Sequence, residues 1–123
     1  MPVAVGRVQQ MSIDESTFET LAEALLRRWS EAVETAGAEA IDADLQSGVL
    51  TIEVEGVGTF ILNKHAPLKQ LWLSSPVSGA SHYAFDATER VWRSTRGGDD
   101  LATLLEAELE DAAGTVILLG YDA

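Results

Sequence analysis

The sequence predicts an α+β fold, a two-layer sandwich in which two helices cover one face of an antiparallel sheet of five or more strands. Three observations carry it. Apolar residues recur at helical spacing near each end of the chain, and the segments between them alternate apolar and polar residues. The connections between those alternating segments are short and rich in turn-forming residues, so successive strands pair as hairpins instead of crossing over.

The first helix opens at Ser12-Ile13-Asp14-Glu15, which has capping-box spacing and offers Asp14 as an equally good cap. From Phe18 the stripe Leu21, Ala22, Leu25, Trp29, Ala32 and Val33 faces a core, and Gly37 ends it. Ser47-Gly48 then starts the clearest strand, Val49 to Glu55, with Leu50, Ile52 and Val54 inward. Gly56-Val57-Gly58 turns it into a second strand over 59–63, and a spacer over 64–68 leads to a third around Trp72. Ser74 to Gly79 breaks this meander, after which 81–85 and 91–94 read as two shorter strands. Gly97-Gly98-Asp99-Asp100 supplies a break and an N-cap for a second helix, with Leu101, Leu104, Leu105 and Leu109 as its stripe, to about Ala113. Residues 12–113 thus form the domain. Residues 1–11 are expected to be a disordered leader, and 114–123, too apolar for a free tail, to pack back on the domain.

At 123 residues the chain fits one domain with a core of its own, and with no cysteine it has no disulfide, thiolate metal site or thiol chemistry. Twenty acidic residues against eight basic ones give a formal net charge of −12. Such a surface repels phosphate backbones and anionic membranes, which argues against nucleic acid and membrane as partners and favours cations and basic protein patches. The glycine-rich phosphate loops, the serine-hydrolase elbow and the zincin motif are all absent. His65 and His82 are the only imidazoles, and surface or partner contacts suit them better than a metal site. Any metal would rest on carboxylates, whose hard oxygens suit iron, calcium, magnesium or manganese.

Two features stand out on this framework. Alternation puts Phe60, Leu62, Leu71 and Leu73 on one sheet face and Ile61, Asn63, Gln70 and Trp72 on the other. A tryptophan among amides there is either a binding residue or one covered by the protein's own loops. On the first helix Glu15, Glu19, Glu23, Arg27 and Glu31 stack at four-residue intervals with Glu34 beyond, and Glu39, Asp42 and Asp44 follow before the sheet. That ridge is either an ordinary solvated face or a row of weak, exchangeable cation sites.

The segments Asp14 to Glu23, Ser47 to Ile52, Gly58 to Lys64, Lys69-Gln70-Leu71-Trp72-Leu73-Ser74-Ser75-Pro76 and Leu104 to Leu109 resemble the frataxin family, including its bacterial homologues. The resemblance implies the same sandwich and a role in iron–sulfur cluster assembly as a regulator that docks on the cysteine desulfurase and scaffold-protein complex. It implies weak binding of ferrous and ferric iron on the acidic surface, with Asp14, Glu15, Glu19, Glu23, Glu31, Glu34, Asp42 and Asp44 as candidates. It further implies partner contacts at Asn63, Lys64, Gln70, Trp72 and His82. A ferroxidase or an iron-storage oligomer is the alternative to a non-enzymatic, monomeric regulator. The expected location is a bacterial cytoplasm, or else a mitochondrial matrix. Arg27 and Arg28 depart from the family's acidic or neutral helix and should weaken iron binding at mid-ridge. His65 and His82 stand where animal frataxins carry glutamine and arginine.

Overall fold

The computed structural model describes residues 13–36 and 39–120. The proposed leader and the last three residues of the closing segment lie outside them. Helix α1 spans Glu15–Ala36 and helix α2 spans Leu101–Ala113. Between them run six strands: β1 (Ile41–Gln46), β2 (Val49–Val54), β3 (Gly58–His65), β4 (Gln70–Ser75), β5 (Gly79–Asp86) and β6 (Val91–Ser94). Every neighbouring pair is antiparallel and spatial order follows chain order, a pure meander. Its two helices pack on one face, α1 beside β1 and α2 beside β6.

The helix caps follow from short polar side chains. Asp14 takes the start of α1: its Oδ1 accepts the Thr17 N–H at 2.7 Å, and its carbonyl accepts the Phe18 N–H at 2.9 Å; Ser12 lies outside the described residues. These hydrogen bonds hold the Asp14 carboxyl below the usual range. Asp100 caps α2 by accepting the Thr103 N–H, and Gly114, at φ +73°, closes it in the left-handed conformation that glycine adopts without strain.

One core lies between the layers. Phe18, Ala22, Leu25, Leu26, Trp29 and Val33 of α1 meet Leu50, Ile52, Val54, Phe60, Leu62, Leu71, Leu73, Tyr83, Phe85 and Trp92 of the sheet. Leu26 joins this stripe, while Leu21 and Ala32 sit at its margin. Ser75, at the end of β4, accepts the Val77 and Ser78 N–H groups and donates to Glu108 of α2 at 2.6 Å, so this part of the Ser-Ser-Pro motif ties the sheet to the helix. The chain after α2 runs extended, with Ile117 and Leu119 buried and the Leu119 N–H donating to Glu106 at 2.6 Å.

Strand β1 is the element that the sequence reading passes over as an acidic approach to the sheet. Its sequence Ile41-Asp42-Ala43-Asp44-Leu45-Gln46 does alternate, and Ile41 and Ala43 are buried. Aspartate disfavours strands, but here both aspartates lie on the solvated side of an edge strand, where the charge also blunts the edge.

Candidate functional site

The sheet surface opposite the helices has no second layer among the described residues. In register across it lie Asn63 beside Trp72 and Trp72 beside His82, with His65 paired to Gln70 at the end of β3. These pairings bring three rings together. His65 stacks on one face of Trp72 with centroids 4.0 Å apart and planes 7° apart, and His82 stacks on the other at 4.2 Å and 10°. The indole Nε1–H donates to Gln70 Oε1 at 2.8 Å. Trp72 is therefore half-buried, its two faces held by imidazoles and its N–H by an amide, with no second layer over it among the described residues. Beside it a shallow groove of about 220 Å³ is lined by Ile61, Asn63, Trp72, Ser74, Ala80 and His82. Ile61 is 40% exposed, so an apolar shelf adjoins the stack.

His65 reaches this position through the turn after β3. A 3₁₀ turn at Ala66–Leu68 is capped by His65, whose Nδ1 accepts the Leu68 N–H at 3.4 Å, and Lys69 completes it at φ +56°. The sequence reading ends this strand at Asn63 and puts His65 in the spacer, whereas β3 runs on to His65 and so places it on Asn63's face, two residues beyond it.

Lys64, between them, points the other way. Its ammonium donates to Glu19 Oε1 at 2.6 Å and Glu23 Oε2 at 2.7 Å, beneath α1. Burial works against its charge, but the two carboxylates outweigh that and raise its pKa above the ordinary lysine value. Glu23 in turn is held below the usual glutamate value by the hydrogen bond from Lys64. The Lys64 stem passes over Gly48, where an added Cβ would lie 2.7 Å from Lys64 Cε. So Lys64 is part of the acidic ridge and lies on the far side of the sheet from Trp72. It adds a cation at mid-ridge beside Arg27, whose charge also acts on Glu23.

The remaining ridge carboxylates, Glu15, Glu31 and Glu34, are exposed on α1. Asp42 and Asp44 are exposed too, but alternation with buried Ile41 and Ala43 turns them to the open sheet face, where Asp42 pairs in register with Glu53. The helix acids and the strand acids thus flank the β1 edge from two sides and do not form one row. Among the described residues no three histidine, aspartate or glutamate side chains converge as a metal-ligand set.

Comparison with known proteins supplies the family. The sequence model of the frataxin-like domain matches residues 11–115. The chain belongs to the frataxin family. It is 44% identical over 109 residues to the mitochondrial frataxin-like protein of Leishmania donovani, covering 83% of this chain and 58% of that protein. It is 36% identical over 111 residues to mitochondrial frataxin of Arabidopsis thaliana, covering 87% of this chain and 59% of the relative. The chain thus spans less than two thirds of these relatives' length. Against the iron-sulfur cluster assembly protein CyaY of Thioalkalivibrio sulfidiphilus it is 37% identical over 97 residues, with 79% of this chain and 87% of that one covered. Among solved structures, frataxin from Psychromonas ingrahamii superposes with a TM-score of 0.77 at 29% identity, over 88% of this chain and 99% of the other. Trimeric frataxin from Saccharomyces cerevisiae, complexed with ferrous iron, superposes with a TM-score of 0.65 at 33% identity, over 85% of this chain and 89% of the other. Frataxin-family members thus include bacterial and mitochondrial proteins, and among the described residues here no helix is long and apolar enough to cross a membrane.

Proposed function

We propose that this chain is a non-enzymatic regulator of iron–sulfur cluster assembly that docks on a cysteine desulfurase–scaffold complex through the open sheet face centred on Trp72. The observation that carries it is the indole clamped between two imidazoles in the middle of a sheet face that no second layer covers among the described residues, with an apolar shelf beside it. A rigid aromatic at the centre of a patch is the usual form of an interface hot spot, because little side-chain entropy is lost when a partner seats on it. The relative named as an iron-sulfur cluster assembly protein supports the pathway. Asn63, Gln70 and His82 serve as contacts around the indole. Lys64 does not share that surface.

Iron is an effector or cargo in this reading, bound weakly and exchangeably. Carboxylate oxygens fit it chemically, and a yeast relative is solved with ferrous iron. The absence of a converging ligand set among the described residues fits weak binding, and the Lys64 ammonium already occupies Glu19 and Glu23. Glu15, Glu31, Glu34, Asp42 and Asp44 are then the more available donors. The wider acidic surface steers basic patches of the partner.

Trp72→Ala tests the docking reading. Loss of a hot-spot aromatic weakens binding by about thirtyfold or more, with the fold intact by circular dichroism. Undiminished capture of the desulfurase–scaffold complex by Trp72→Ala would refute it. Titration with Fe²⁺ under nitrogen, followed by NMR line broadening, tests the ridge: Glu15, Glu31 and Glu34 respond at lower iron than Glu19 and Glu23.

A further inference from the structure

Resting on the docking reading above, we propose that the partner segment seated against the His65–Trp72–His82 stack carries carboxylates, and that docking tightens as the two imidazoles take up protons.

The stack decides which part of the tryptophan a partner can touch. Both faces of the indole are covered by imidazole rings 4.0 and 4.2 Å away, so no partner ring can stack on it. Its N–H is engaged by Gln70. Both histidines are part-exposed, and His82 lines the groove beside the indole, so the imidazoles are what a partner meets around Trp72. At His65 the Nδ1 accepts the Leu68 N–H, which in the neutral ring leaves Nε2–H as a donor. When an imidazole is protonated both nitrogens donate. His65 gives up only the 3.4 Å contact to Leu68 on protonation, a weak bond at that length. An imidazolium lying flat on an indole also gains a cation–π contact, and the indole separates the two charges.

The surrounding charge points the same way. On a chain of net charge −12, strands β3, β4 and β5 hold a single carboxylate, Asp86. Asp86 is buried and tied to Arg93 of β6 at 2.9 Å. Around His65, the neighbouring end of β2 presents Val49 and β4 presents Gln70, with Lys69 in the turn and Asp14 of α1 the acid that Lys69 senses. Around His82, β4 presents Trp72, while Arg93 and Thr95 lie on the β6 side, the Thr95 N–H donating to the His82 carbonyl. The open-face acids Asp42, Asp44 and Glu53 are confined to β1 and β2. The stack therefore sits in a non-acidic island, and each imidazole that takes up a proton adds a positive charge to it. A carboxylate-bearing segment complements it, whereas a basic segment suits the acidic surfaces elsewhere on the chain.

The test measures affinity of the whole chain for the desulfurase–scaffold complex at pH 8.0 and pH 6.0, for the wild type, His65→Gln/His82→Gln and Trp72→Ala. Glutamine keeps a planar polar group without the titration. Taking the wild-type-to-variant ratio at each pH cancels the partner's own titration. We expect that ratio to rise about fivefold from pH 8.0 to pH 6.0, the size of two exposed charge contacts. Calorimetry in two buffers of different ionisation enthalpy should also show proton uptake on docking by the wild type that the double variant lacks. A ratio that stays flat, or falls, overturns the inference while leaving docking in place. Binding of Trp72→Ala as tight as wild type at pH 8.0 sinks the docking reading itself.

Discussion

Lys64→Met is the sharpest probe of how the acidic ridge is built. Methionine keeps most of the stem that passes over Gly48 and removes the ammonium that lies 2.6 and 2.7 Å from Glu19 and Glu23. The Lys64 side chain is 16% exposed, while those of its partners are 38% and 54% exposed, so water screens the pairs and the scale for exposed ion pairs applies. Two such contacts make the loss of the Lys64 charge worth about 0.5–2 kcal/mol. For a domain of this size that lowers Tm by about 2–8 °C at low salt. The carboxylates left behind repel each other and the rest of a −12 surface, so added salt should narrow the gap, the Debye length shrinking from about 10 Å at 0.1 M to 3 Å at 1 M. Divalent cations should narrow it further by replacing the ammonium. The pH dependence has a definite sign. The Glu23 pKa is lowered in the folded state, so the pair's stabilisation is present above the ordinary glutamate range and is lost as pH falls through the lowered value. Thermal melts of wild type, Lys64→Met, Glu19→Gln/Glu23→Gln and the triple variant complete a double-mutant cycle. An unchanged Tm in Lys64→Met at low salt, or the same drop when both glutamates are already amides, would refute this account.

Three further outcomes follow from local geometry. Asp86 accepts from the Thr88 N–H, the Glu89 N–H and Arg93 Nε, and although burial pushes its pKa up, these bonds outweigh that and hold it below the ordinary value. Asp86→Asn should therefore cost about 1–2 kcal/mol in urea unfolding at neutral pH, a cost that fades as pH falls through the folded-state pKa. Gly48→Ala meets both a φ of +78° and the Lys64 stem, so it should cost about 1–2 kcal/mol and show less than additive loss with Lys64→Ala, which removes that stem, in paired melts. Glu106→Ala removes the acceptor of the Leu119 and Gly120 N–H groups, and amide exchange there should quicken about tenfold while the centre of α2 stays protected.

Periodicity was enough for the layers. Both helices, their apolar stripes, the Asp100 cap and five of the six strands are legible because each rests on local spacing that the chain carries by itself. The alternation that puts Ile61, Asn63, Gln70 and Trp72 on one face is equally local, and so is the acidity of α1. Strand β1 is missed because its aspartates suggest a loop, and only pairing with β2 shows that they ride on the solvated side of an edge. What tertiary structure alone decides is how those rows meet. Whether Trp72 is covered depends on where the second layer goes, and both helices take the other face. That His65 and His82 close on the two sides of one indole depends on the β3–β4 and β4–β5 registers, the two histidines lying seventeen positions apart in sequence. Lys64, flanked by two residues of the Trp72 face, turns under α1 to meet glutamates more than forty positions away. The sequence by itself fixes which residues share a strand face or a helix ridge, since that follows from backbone period. It cannot fix which faces, edges and charges are brought opposite one another, because that depends on pairing register and on packing between layers, and here those choices decide the indole stack and the internal cation of the ridge.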